Sequence, residues 1–240
     1  MVAVLETPRT RTRQSRPICP FPLENGDHLT RTEFERRYDA MPNLRKAELI
    51  EGVVQMPSPI RIEHMEADLA VITWLGVYVA LTPGVRGGGD GSVRLDADNE
   101  VQPDALLRIE EACGGQSRVA ADGFIEGAPE LVVEISGSSA SYDLHAKLNI
   151  YRRAGVREYV VWRVYDDAID WFVQDEGRFV AQAPDEQGVY ASRVFPGLRL
   201  PVQALLDGKL ADVLASVQQG AQTQEHADFV KKLKSQGTAA

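Results

Sequence analysis

The chain has 240 residues, 44% hydrophobic and 25% charged, with a formal net charge of −9. That length supports one domain with extensions, and the composition excludes fibrous, collagenous and largely disordered classes. The acidity argues against a broad nucleic-acid-coating surface, which needs a basic footprint, but leaves room for a local one. No membrane span is expected, because the longest apolar run, around Ala70–Leu81, is interrupted by Thr73 and Gly76 and falls short of ~20 residues. Residues 1–20 hold no stretch of signal-peptide type, so a cytoplasmic protein is expected. Cys19 and Cys113 lack metal-type spacing and are read as reduced thiols, a disulfide between them being the alternative.

Residues 1–26, rich in Pro, Thr and Arg, read as a loose arm. Thr30 with Glu33 forms a capping-box pattern that opens a helix over Glu33–Ala40, stopped by Met41-Pro42-Asn43. Ala47–Met56 reads as a strand with a turn or bulge at Gly52, and Ile62–Leu81 as a largely buried helix. Pro83–Gly91 is glycine-rich, but no GK[ST] follows it, so a turn is predicted rather than a phosphate cradle. Strands follow at Ser92–Leu95 and Asp104–Ile109, with a turn at Asp96–Glu100 between them and a long connection over Glu110–Gly127 after them. Leu131–Ile135 is apolar except at Glu134, the pattern of a central strand covered on both faces. A polar loop, Ser136–Ser141, leads to a helix over Tyr142–Ala154 with Gly155 at its end. Strands at Glu158–Val164, Ile169–Val173 and Arg178–Gln182 precede helices over Val202–Gln218 and Thr223–Lys234. The expected class is mixed α+β, a central mixed sheet flanked by helices.

Asp104 begins one strand and Glu134 lies near the end of another. If the two pair antiparallel, start meets end, and their carboxylates converge at one edge of the sheet. Such a pair needs compensating positive charge, and Mg²⁺ (or Mn²⁺) is the common solution. On the following helix, with Asp143 at 0°, Lys147 falls at about 40°, between Ile150 at about 340° and Tyr151 at about 80°. A lysine inside an apolar arc is costly unless carboxylates receive it, and Glu134 and Asp143 are the nearest candidates. An ammonium beside a metal-bound carboxylate pair suits phosphoryl chemistry.

The strings PD at 103–104, LVVEIS at 131–136 and SYDLHAKLNIYRRAGVREYVVW at 141–162 resemble the Uma-two family, a group of restriction-endonuclease-like proteins in the PD-(D/E)XK nuclease superfamily. AELIEG at 47–52, PSPIRIEH at 57–64 and FPGL at 195–198 extend the likeness. The resemblance implies a restriction-endonuclease-like core and divalent-metal hydrolysis of phosphodiesters, with DNA as partner. It implies Asp104 and Glu134 as metal ligands and Glu48 as a further acid there, Glu51 being a competitor on the opposite strand face. The superfamily's lysine two residues after the glutamate is Ser136 in this chain, so Lys147 takes that role from the helix. His64 matches a histidine of the family, as an accessory or structural residue. The expected division is an arm at 1–26, a nuclease-like domain at 27–201 and a helical tail at 202–240, with a homodimer allowed. A DNA endonuclease is the first reading. A non-catalytic nuclease-fold binding or structural module is the second, and a hydrolase of other phosphate esters the third.

Overall fold

The computed structural model describes residues 21–57, 59–137 and 143–238. The expected strand around Glu134 is the middle of the molecule. Strand β9 (Leu131–Ser136) is buried along its whole length, between β6 (Ala105–Ile109), antiparallel to it, and β10 (Glu158–Arg163), parallel to it. With β3 (Val85–Gly88), β11 (Ala168–Asp175) and β12 (Arg178–Gln182) they form a mixed six-stranded sheet in the order β12-β11-β10-β9-β6-β3.

Period-two alternation divides this sheet between two cores. Leu131, Val133 and Ile135 join the cluster built on α2 (Ile62–Leu81), with Trp74 against Trp171. Val132 joins Tyr159, Val161 and the Ile150 and Tyr151 side chains of α3 (Leu148–Ala154). Glu134 shares the parity of Val132 and therefore faces α3.

A second sheet, in the order β2-β1-β5-β4-β8-β7, lies on that side: β1 (Glu48–Ile50), β2 (Val53–Gln55), β4 (Val93–Arg94), β5 (Glu100–Val101), β7 (Arg118–Val119) and β8 (Ile125–Glu126). Ile50, Val93 and Val101 pack it onto the α3 core. The expected strand over Ala47–Met56 is a hairpin, whose turn residues Glu51 and Gly52 both have positive φ (52° and 76°), as a two-residue turn of right-handed twist requires. Helix α1 (Arg31–Asp39) starts two residues earlier than expected, with the Thr30 hydroxyl accepting from the Glu33 N–H. Its Phe34 packs against Leu49 and Val54 of the hairpin.

The glycine-rich segment is not simply a turn: Val85–Gly88 forms the β3 edge strand on β6. Gly87 passes so close that a Cβ there would meet the Leu106 carbonyl at 2.8 Å, which only glycine tolerates. The turn expected over Asp96–Glu100 ends in β5, the connection over Glu110–Gly127 carries β7 and β8, and a hairpin of β13 (Val189–Ala191) and β14 (Arg199–Pro201) follows β12.

Helix α2 departs from expectation in two ways. Its Val71, Trp74 and Tyr78 face is buried, but Ile62, Met65 and Leu69 are exposed, so only one face is covered. By length and composition it is apolar enough to cross a bilayer despite Thr73 and Gly76, while its buried face packs in the main core cluster.

The C-terminal segment forms three helices rather than two, α4 (Val202–Leu206), α5 (Leu210–Gly220) and α6 (Gln224–Gly237), because Gly208 turns the chain at φ 70°. Leu205, Val213, Val217 and Leu233 from these helices enter the α2 core. Cys113 is a buried free thiol; Cys19, Ser58, residues 1–20 of the arm and the start of the 142–154 helix lie outside the described residues.

Candidate active site

The antiparallel register pairs Ala105 with Val133 and Leu106 with Val132. One step further sets Asp104 opposite Glu134, the start-to-end meeting expected from sequence. Both side chains are buried, at 7% and 2% exposure. Asp104 is pinned from several sides: Oδ2 accepts from the Ile135 N–H at 2.8 Å, and Oδ1 accepts from Lys46 Nζ at 3.0 Å. His64 Nε2 lies 3.6 Å from Oδ2. Glu134 Oε1 accepts from Lys147 Nζ at 2.9 Å and from the Tyr151 hydroxyl at 2.7 Å.

Lys147 lies in the interior, 4% exposed, its ammonium also 3.0 Å from Glu48 and 4.0 Å from Asp143. Helical spacing therefore located it correctly, although the local helix differs from the ideal used to place it. Asp143–Lys147 is a π-helical turn that continues into α3. Turns of this kind inside α-helices recur at functional sites. Asp143 closes the far side, where its carboxylate accepts a short hydrogen bond from the Ser136 hydroxyl. Ser136, two residues after Glu134, thus carries a hydroxyl that orients an acid.

Glu48 enters from β1. Its carboxylate accepts from the Gln102 N–H at 2.8 Å as well as from Lys147. Glu51 lies in the exposed hairpin turn and pairs with Arg153 at 2.6 Å, so between the two acids the structure brings Glu48 to Glu134 and Lys147. Lys46, Tyr151 and Gln102 were missed in the sequence. Tyr151 follows Lys147 by four in a helix and was open to the spacing rule that located Lys147, whereas Lys46 is brought to the site only by Asp104, 58 residues away.

Four acids (Glu48, Asp104, Glu134, Asp143) face two ammonium groups and one imidazole. Burial, with the neighbouring Asp104, Glu48 and Asp143, pushes Glu134 up to about 8 against the pull of Lys147. At Asp104 burial pushes the same way, but His64, Lys46 and the Ile135 N–H outweigh it and hold the carboxyl well below the usual range. Asp104 in turn raises the pKa of His64. Burial would strip the proton from Lys147, but Glu134, Glu48 and Asp143 raise its pKa well above the ordinary value.

Four acids meet in the cluster, and their donors are hard carboxylate oxygens, the set that suits Mg²⁺ or Mn²⁺. Among the described residues no three His, Cys, Asp or Glu side chains form a ready cage. Mg²⁺ does not require one, since it is commonly held by one or two carboxylates and water.

A family model described as Uma2, "Putative restriction endonuclease", matches residues 31–203. Among solved structures, a crystal structure described as "a putative nuclease belonging to DUF820", from Anabaena variabilis ATCC 29413, superposes with a TM-score of 0.55 at 13% identity, covering 79% of this chain and 99% of that one. At that identity the likeness shows the fold, a nuclease-type mixed sheet. No curated protein sequence matches the chain significantly.

Proposed function

The chain belongs to the Uma2 family of restriction-endonuclease-like proteins, and on that premise we propose that it is a metal-dependent DNA endonuclease. The observation that carries the proposal is the pair Asp104 and Glu134, opposed across two strands in a buried site where four acids gather. Asp104 and Glu134, with Glu48 beside them, are the residues that would hold Mg²⁺ or Mn²⁺. When bound, the cation supplies Lewis-acid stabilisation of the phosphoryl charge and a water of lowered pKa.

The chain's own groups do the positioning. Lys147 keeps Glu48 and Glu134 oriented toward the site, and Tyr151 fixes the same Glu134 oxygen. His64 stands 3.6 Å from the Asp104 oxygen that also accepts from the Ile135 N–H. With a net charge of −9, DNA contacts are few, on the order of three to six phosphates, and the arginines of residues 1–20 are the reserve of positive charge. The same reading places the protein in the cytoplasm.

The test is supercoiled plasmid incubated with Mg²⁺, Mn²⁺ or EDTA. Nicking or linearisation is expected with either metal and not with EDTA, and Glu134→Ala abolishes it. A second reading, a non-catalytic module of the same fold, is favoured by the lysines that already satisfy these carboxylates. Equal plasmid in all lanes, with a folded wild type, selects that reading and overturns the first.

A further inference from the structure

The PD-(D/E)XK pattern that this sequence resembles contains a lysine, and the two lysines of this site are not equivalent. Lys147 is enclosed. Its side chain is 6% exposed, its ammonium donates to Glu134 at 2.9 Å and to Glu48 at 3.1 Å, and the Asp143 carboxylate stands 4.0 Å away on a third side. An ammonium so placed is a counter-ion for carboxylates and has no open side toward a phosphate. Position 136, where the pattern puts the lysine, is a serine turned toward Asp143.

Lys46 has what Lys147 lacks. It approaches from the chain leading into β1, with Nζ 3.0 Å from Asp104 Oδ1 and its side chain 18% exposed. Its second partner, Asp90, is 3.6 Å away and 69% exposed, a distance beyond a good hydrogen bond. One hydrogen bond holds Lys46 to the buried acid, and its side chain is three times as exposed as that of Lys147. A phosphoryl oxygen arriving there replaces a weak, solvated contact, which costs little. The remaining oxygen of Asp104 is occupied by Ile135 N–H and His64, so Lys46 sits on its open flank.

We propose that Lys46, and not Lys147, is the side chain that contacts a phosphate oxygen of bound nucleic acid, bridging it to Asp104. The inference rests on the nuclease reading above and adds which cation touches the substrate. Lys147 then acts from behind, as a positioning residue. Asp90 is the partner that gives way.

The test is binding of a short DNA duplex with Ca²⁺ in place of Mg²⁺, measured across a salt series for wild type, Lys46→Met, Lys46→Arg and Lys147→Met. Losing one phosphate contact lowers the slope of log affinity against log salt by about 0.9. Over a fourfold rise in salt, wild type should therefore lose about 3.5-fold more affinity than Lys46→Met. Lys46→Arg should restore the wild-type slope, and Lys147→Met should leave the slope unchanged even where overall affinity falls. Thermal melts confirm that each variant is folded. A wild-type slope in Lys46→Met, or the loss appearing in Lys147→Met instead, overturns the assignment while plasmid cleavage by wild type leaves the nuclease reading standing. A wild type that neither binds the duplex nor cuts plasmid overturns both.

Discussion

Lys147→Ala is expected to destabilise the metal-free protein by about 3–5 kcal/mol, the range for removing one partner of a buried ion pair. The substitution leaves Glu134 and Glu48, both almost fully enclosed, facing each other without the ammonium that separates them. Lys147→Met keeps the volume and should recover only the packing share of the loss. The effect has a pH signature. Glu134 is pushed up to about 8 from an ordinary 4.5, so the native state holds a proton that the unfolded chain releases. Stability contributed by that proton is present below about pH 4.5 and is lost as pH rises toward 8. Without Lys147 the carboxyl shifts higher still, and the decline continues beyond pH 8. Urea melts at pH 5 and pH 9 measure it. An equal, small loss at both would mean that Lys147 is not the counter-ion of this cluster.

Mg²⁺ is expected to do the opposite. A cation that binds only the native site stabilises it by about 2.7 kcal/mol at a hundred times its dissociation constant. For a chain of this size that corresponds to a rise in Tm of roughly 5–10 °C. Asp104→Asn and Glu134→Gln should each remove most of the rise, because each deletes a carboxylate charge from the same edge. In Lys147→Ala the added cation should restore much of the lost stability, since it brings positive charge to the acids that the lysine had satisfied. Identical shifts in wild type and both carboxylate variants would put the cation elsewhere.

Much of the site was legible because it is built from short-range periodicities. The LVVEIS strand declares its burial through apolar residues on both faces, and one acid in such a strand is conspicuous. The wheel placing Lys147 tolerated the π-helical turn because Lys147 and Ile150, three residues apart, stay on one face whichever turn precedes them. The hairpin at Glu51-Gly52 hid the choice between Glu48 and Glu51. That choice depends on two positive φ values, which sequence alternation does not express.

What stayed illegible is non-local. β5, β7 and β8 are two-residue strands, too short to carry a period, and exist because the second sheet pairs them. β3 reads Val-Arg-Gly-Gly, and its Gly87 serves close approach to β6 rather than strand propensity. The burial of α2 on one face only, with Met65 and Leu69 outside, follows from how the main sheet meets it, and apolar residues on both faces of the helix could not reveal that. Lys46 was missed for a different reason: a lysine before a strand reads as a solvated charge until Asp104 is brought beside it from 58 residues away.

The central claim, that Asp104 and Glu134 form a divalent-cation site, is tested most directly by anomalous scattering from crystals soaked in Mn²⁺. The expected result is an anomalous peak about 2.0–2.2 Å from a carboxylate oxygen of Asp104 and of Glu134, with the Lys147 ammonium still against Glu48 or Asp143. That peak should be absent from Glu134→Gln crystals. Peaks confined to other acids, such as Glu35 and Glu100, or no peak in a fully soaked wild-type crystal, would contradict the account.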